Sequence, residues 1–412
     1  MTQGTNTDSG IKSYQVVNKE RFQQKWQSVL ETHLVDSQEN SFLERNRLKG
    51  LNILYVDHYV PEPDKDSGSL RTFNMLGILA QMKNKITLWP DNLNYTNPYV
   101  TELQQKGIEV MYGKNDFDKF LNERKQVYDV AILTRPYISI KYIDAIKEKM
   151  PDCKIIYDTV DLHFLRMERQ ATLENKGHAA QAKAMRQLEF SLMEKSDLTI
   201  LTSEAETEFI HKENDSIKLA ILPNIHVESE KIHGFEGREN MFFVGGFQHP
   251  PNIDAANYLM QEIWPLIKLQ VNGAKLFIIG SNPTDEIKKL ASEDVVVTGF
   301  VKDIAQYHNG CKVMLAPLRY GAGVKGKITE SLAMGIPVIT TPVGAEGINL
   351  KDGNNCMIAS KPEEFAKKVL EVYSDEKLWK KLSQNGIEVA KEYSPENARA
   401  CLEAIILSLF SL

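Results

Sequence analysis

Residues 311–348, CKVMLAPLRYGAGVKGKITESLAMGIPVITTPVGAEGI, constrain this chain more than any other stretch. Val313–Pro317 is an apolar run long enough for one buried strand. Gly321-Ala322-Gly323-Val324-Lys325-Gly326-Lys327 follows, with three glycines and two lysines. Ile328–Met334 has helix-forming composition, Gly335 stops it, and Pro337–Thr341 reads as a second buried strand. A glycine loop that opens a helix is an anion site, because bare N–H groups and the positive end of the helix dipole face it. Two lysines add the cationic charge that suits a diphosphate. Glu330, just inside the helix, places a carboxylate where a ribose diol would donate two hydrogen bonds. The phosphate loop of ATPases is a different pattern: no Gly-Lys-Ser/Thr run opens this helix.

The segment resembles the donor-binding core of retaining GT-B glycosyltransferases of family 4. Those enzymes carry a glycine loop, a helical glutamate that holds the ribose, and an A-x-G-x-P-V turn, here Ala333-Met334-Gly335-Ile336-Pro337-Val338. The family pairs two glutamates; Glu330 matches the second, whereas Ala322 stands at the first, the usual contact to the donor sugar. The resemblance covers residues from about 51 to 412 and is densest over 295–348.

At 412 residues the chain is too long for one ordinary core, so two domains are expected. An apolar fraction of 42% and a charged fraction of 25% are those of a soluble globular protein. A net charge of −6 disfavours general nucleic-acid binding. Cys153, Cys311, Cys356 and Cys401 are scattered without C-x-x-C, which reads as buried free thiols in a reducing compartment. No apolar run approaches the ~20 residues of a membrane span, and the polar start MTQGTNTDSG is not a signal peptide. A cytoplasmic location follows as the expectation, with the inner membrane face left open.

Along the chain, residues 1–48 form a helical extension, with Phe22, Trp26, Val29, Leu30 and Leu34 at helical spacing; it docks on the first domain or on a partner. From Leu51–Val56 onward, short apolar runs alternate with helical patterns: Ile86–Trp89, Gly107–Val110, Tyr128–Thr134, Lys154–Tyr157, Leu198–Thr202 and Ala220–Leu222. That alternation means α/β architecture with covered parallel sheets. The expected organisation is an acceptor domain over 49–225, a linker over 226–240, a donor domain over 241–393, and a terminal helix over 394–412 that crosses back. The resemblance sets these as two Rossmann-like domains facing a cleft, the GT-B fold.

Ligands of parallel sheets bind at the carboxyl ends of strands. In the loop 57–69, Gly68 is placed by the resemblance near the donor phosphates, with a plain turn as the alternative; Ser69 reads as the following helix's N-cap. Arg135 follows the strand where relatives carry a histidine. Asp161 and His163 resemble an acceptor-side loop and could position or deprotonate a hydroxyl; alternatively Asp158 caps a turn and His163 packs. After Met241–Val244, the family's Gly-Arg turn and lysine are reduced to Gly246, with Gln248, His249 and Asn252 nearby. Diphosphate neutralisation is therefore expected from Lys325 and Lys327, with Gly323 and Val324 on the donor. Phe300 and Val301 fall where the family reads the nucleobase. Asp116-Phe117-Asp118 mimics a metal motif of the other glycosyltransferase fold but lies far from this core, and reads as a solvated loop. No zinc spacing occurs, and neither a metal nor a cofactor is expected.

The resemblance implies retaining transfer from a nucleoside diphosphate sugar, dTDP-rhamnose or a UDP-sugar, to a hydroxyl of a bacterial surface glycan or lipid-linked glycan. A sugar-nucleotide epimerase and a non-catalytic scaffold are the competing readings. An NAD enzyme is disfavoured because no G-x-G-x-x-G follows Leu51–Val56. Peripheral membrane contact through the apolar C-terminal tail stays open, and nothing fixes an oligomeric state.

Overall fold

The computed structural model describes residues 13–31, 50–124, 127–174, 179–226, 232–271 and 273–410. Met1–Gly50 and Leu51–Leu412 are separate units. In the first, Ser13–Leu30 is one helix that leaves Phe22, Trp26 and Val29 exposed. Leu34, expected on the same face, lies outside the described residues.

The second unit holds two parallel sheets. β1 (Asn52–Asp57), β2 (Lys85–Pro90), β3 (Glu109–Val110), β4 (Val130–Thr134), β5 (Lys154–Asp158), β6 (Leu198–Leu201) and β7 (Leu219–Ile221) assemble in the order β3-β2-β1-β4-β5-β6-β7. β8 (Asn240–Val244), β9 (Leu276–Ile279), β10 (Val295–Gly299), β11 (Cys311–Ala316), β12 (Val338–Thr340) and β13 (Met357–Ile358) assemble as β10-β9-β8-β11-β12-β13. Each order starts near the middle and reverses direction once, so each sheet has a switch point beside its first strand.

Helices cover both faces of each sheet, which is why the strands read as continuous apolar runs. Successive side chains enter opposite cores. Ile53 and Tyr55 of β1 face one core, whereas Leu54 and Val56 face the other. In β8, Met241 and Phe243 separate from Phe242 in the same way. The terminal helix Pro395–Phe410 does not stay with the second sheet. Ala398, Leu402 and Ile405, at helical spacing, complete the core that holds Ile53, Tyr55, Leu76 and Leu79 of the first.

Several boundaries differ from the sequence reading. The helix after β1 begins at Ser67, two residues before the expected cap. Asp66 caps it, accepting from Ser69 N at 2.8 Å, and Ser69 Oγ donates to the same carboxylate at 2.7 Å. The carboxylate is the stronger acceptor for orphan N–H groups, and its charge favours the helix dipole. The charged run 165–190 falls in two helices, His163–Glu174 and Ala179–Lys195; residues 175–178 are outside the described set. The stretch read as linker is anchored at both ends. His226 N donates to Tyr393 O at 2.8 Å, and buried Arg238 donates to Cys311 O at 2.8 Å and His233 O at 2.9 Å. Residues 227–231 between them are not described.

Candidate active site

The carboxyl ends of β4, β5 and β6 supply one wall. Arg135 and Val160, which follow β4 and β5, hold φ of 63° and 64°, the left-handed region that non-glycine residues rarely adopt. Strain of this kind persists only where surroundings impose it, and here buried polar contacts do so. Arg135 donates to Asp57 Oδ1 at 3.2 Å. Asp158 is clamped by buried Arg71 at 2.6 Å, and accepts from Val160 N at 3.2 Å. Asp158 therefore does cap the turn, and it also neutralises an arginine. Gly68 lies in the first turn of the helix Ser67–Gln81, and a Cβ there would sit 3.1 Å from Arg135 Nη2. It allows an arginine to approach the backbone, which a plain turn would not require.

The acceptor-side candidates are next to each other. His163 Nδ1 lies 3.0 Å from Asp161 O and 3.2 Å from Asp161 Oδ1, both acceptors. Nδ1 therefore carries the proton and Nε2 keeps a lone pair. Burial pushes the His163 imidazole down to about 4, so it is neutral near pH 7. Burial alone would raise the Asp161 carboxyl, but Arg166, paired with it directly, and His163 hold it far below the usual range. Buried Glu189 secures the start of this helix, accepting from Phe164 N at 2.7 Å and His163 N at 3.3 Å. Its own burial, ahead of those bonds, lifts it to about 8.

The opposite wall comes from β8, β11 and β12. Lys325 caps the helix Gly326–Ala333 by position only, without a side-chain bond to it. Its ammonium turns back to Gly323 O at 2.7 Å and lies 3.8 Å from Glu346 Oε2. Burial lowers Lys325 to about 8 and Lys327 to about 7. Lys327 Nζ donates to Asn252 Oδ1 at 2.5 Å, and Asn252 in turn donates to Gly246 O at 2.8 Å. A Cβ on Gly245 would lie 2.7 Å from that ammonium. The cation thus stands at the turn after β8, where the resemblance implies basic groups that this sequence lacks. His249, in the same turn, is driven by burial down to about 4. Glu330 is lifted by burial to about 7, and among the described residues its carboxylate has no hydrogen bond or ion pair. Phe300 is exposed, with Lys65 Nζ of the opposite wall 3.5 Å from its ring centroid; Val301 is partly buried and packs against the neighbouring core.

The walls touch. Thr202 Oγ1 accepts from Val324 N at 3.2 Å, and Asn224 Nδ2 donates to Val324 O at 3.1 Å. Thr329 Oγ1 and His226 Nε2 are 2.7 Å apart. A Cβ on Gly323 would lie 3.0 Å from Asp161 Cβ, and one on Gly326 would lie 2.6 Å from Ser67 Cβ. Asp161, Gly323, Val324 and Lys325 are thereby brought into one group, whereas Phe300 contacts Lys65 instead.

Residues 238–375 match the family model described as glycosyl transferases group 1. Sucrose-phosphate synthase of Thermosynechococcus elongatus superposes with a TM-score of 0.66 at 13% identity, over 87% of this chain and 99% of that one. The fold is GT-B.

The GT-B likeness extends to Anabaena HepE, solved with UDP-glucose, at a TM-score of 0.66 and 14% identity, over 87% of this chain and all of that one. In sequence, an uncharacterized glycosyltransferase of Methanocaldococcus jannaschii is 34% identical over 169 residues, 39% of this chain and 46% of that protein. An uncharacterized protein from the cps region of Klebsiella pneumoniae is 23% identical over 162 residues, 37% of this chain and 42% of that protein. The matched segment spans less than half the length of either relative.

In this GT-B cleft, sequence reasoning overlooked Arg166, Arg169, Thr202 and His226. Arg166 and Arg169 follow His163 at three-residue steps, one face of a helix that starts directly behind β5. That spacing was the available signal. Asp116 of the Asp-x-Asp caps the helix Phe117–Glu123, accepting from Lys119 N at 2.8 Å, and Asp118 pairs with Lys149. Among the described residues, no group of three or more His, Cys, Asp and Glu is arranged to hold a metal ion, and no helix is long and apolar enough to cross a membrane.

Proposed function

We propose that this chain is a retaining glycosyltransferase that moves a sugar from a nucleoside diphosphate sugar to an acceptor hydroxyl. The observation that carries the reading is buried Lys325 with half-buried Lys327 and Glu330 around the start of one helix. Both ammonium groups are desolvated, and among the described residues Lys327 has no matching anion and the Glu330 carboxylate has no donor. A diphosphate with its ribose supplies both missing partners.

As the glycosidic bond breaks, negative charge grows on the leaving diphosphate. Lys325, Lys327 and the loop N–H groups stabilise it where it develops. The Asp161 carboxylate is a poor proton acceptor, because Arg166 holds it ionised far below neutral pH. His163 Nε2, neutral with a lone pair, orients the acceptor hydroxyl, and the departing phosphate takes the proton from the same face. A UDP-sugar or dTDP-rhamnose is the donor we favour, with a surface glycan or lipid-linked glycan as acceptor. HepE with UDP-glucose and the cps-region relative support that choice.

The test is thermal stabilisation by UDP, GDP, dTDP, ADP and NAD, with Lys325→Ala and Glu330→Ala alongside. A ligand at one hundred times its dissociation constant adds ~2.7 kcal/mol. One diphosphate is expected to stabilise the wild type and to lose that effect in both variants. Stabilisation by no diphosphate would overturn the reading and favour a scaffold. Anomeric configuration of a transferred product, read by NMR, tests retention.

A further inference from the structure

Arg169 reaches from one wall of the cleft into the glycine loop of the other. Its guanidinium forks onto Glu346, Nη1 to Oε2 at 2.5 Å and Nη2 to Oε1 at 2.7 Å. Nη1 also donates to Gly321 O at 2.7 Å, at the start of that loop. Glu346 Oε2 lies 3.8 Å from Lys325 Nζ, so three charges run plus, minus, plus. Burial would raise the Glu346 carboxyl, but the Arg169 bonds and the Lys325 charge lower it, so it is ionised near neutral pH.

An ionised carboxylate this close to a buried lysine has two choices of partner. A planar fork satisfies both oxygens at once, which an ammonium does not. With Arg169 in place, Lys325 stays beyond hydrogen-bond distance of Glu346 and bonds to a backbone carbonyl instead. Without Arg169, half-buried Glu346 would face Lys325 as its one remaining cation and would take it. We propose that Arg169 is a positioning residue that occupies Glu346 and so leaves the Lys325 ammonium to the donor's diphosphate. The inference rests on the nucleotide-sugar reading given above. Arg169 and Glu346 belong to opposite walls, so Lys325 is released to the donor only in the closed cleft.

A strut that merely held the walls together would behave differently, and rescue separates the two. The full chain is titrated at about pH 6.5, where Lys325 is cationic, with whichever of UDP, GDP, dTDP and ADP the wild type binds most tightly. Arg169→Ala is expected to weaken binding ~10-fold, and Arg169→Lys less, because it keeps the charge without the fork. Glu346→Gln alone is expected to bind no more weakly than wild type. Arg169→Ala/Glu346→Gln is expected to return to within about threefold of wild type, since the amide no longer competes for Lys325. A double variant as weak as Arg169→Ala, or a ~10-fold loss in Glu346→Gln, would overturn the proposal. A wild type that binds none of the four diphosphates would instead overturn the nucleotide-sugar reading itself. Circular dichroism and melting of each variant confirm that the compared proteins are folded.

Discussion

Arg71 and Asp158 form a buried ion pair at 2.6 Å, with side-chain exposures of 1% and 0%. Arg71 Nη2 also donates to Leu222 O at 3.0 Å, so one guanidinium joins the end of β5 to the segment that leads to Asn224. Arg71→Ala leaves a carboxylate buried without its cation, and is expected to cost about 3–5 kcal/mol of stability. Urea denaturation followed by circular dichroism measures it. A loss under about 1 kcal/mol would mean that water replaces the arginine.

Diphosphate binding is expected to take up protons. Burial lowers Lys325 to about 8 and Lys327 to about 7, so both are partly neutral in the empty site at mildly alkaline pH. A bound anion favours the charged forms and raises both values. Affinity should therefore fall as pH rises from about 7.5 to 9, by up to about tenfold per unit for each lysine that must be recharged. Calorimetry in two buffers of different ionisation enthalpy reads the proton count directly. A binding enthalpy independent of buffer would contradict it.

Gly326→Ala is expected to push the walls apart, because its Cβ would lie 2.6 Å from Ser67 Cβ. Real Cβ atoms do not approach so closely, and both atoms belong to helix ends that cannot rotate away. The variant should bind the nucleoside diphosphate at least ~10-fold more weakly and show a larger radius of gyration in solution scattering. Gly310→Ala, where a Cβ meets nothing within 4 Å, is the matched control and should change neither.

The Asp-x-Asp at 116–118 is expected to matter for stability alone. Asp116 caps a helix, and Asp116→Ala should cost ~1 kcal/mol. Asp118→Ala removes a surface pair with Lys149 and should cost less than ~1 kcal/mol. Transfer activity should persist in both variants and in the presence of EDTA. Loss of activity with an unchanged melting temperature would restore a metal role to this motif.

The alternation of buried strands with helical segments was legible in the sequence because both faces of these sheets are covered. The glycine loop and the turn that ends its helix were legible because backbone geometry restricts residue choice there, as at Gly323 in the loop and Gly335 in the turn, whose φ values are 66° and 70°. Pairing across the cleft was not. Arg169 and Glu346 lie far apart in the chain, and each reads alone as an ordinary charged residue. The position of Lys327 was hidden for the same reason: its partner Asn252 belongs to the helix Pro250–Tyr258, behind another strand. Spacing within one helix reports which side chains share a face, but not what that face meets.

The terminal helix gives the order of synthesis a consequence. Ala398, Leu402 and Ile405 complete a core whose other walls, Ile53, Tyr55, Leu76 and Leu79, were made long before. A nascent chain emerging from the ribosome therefore carries an unfinished apolar surface through the synthesis of the whole second sheet. Residues 395–410 close the first lobe, so a polypeptide stalled or clipped ahead of them would expose that core to aggregation or proteolysis before either lobe could meet a substrate.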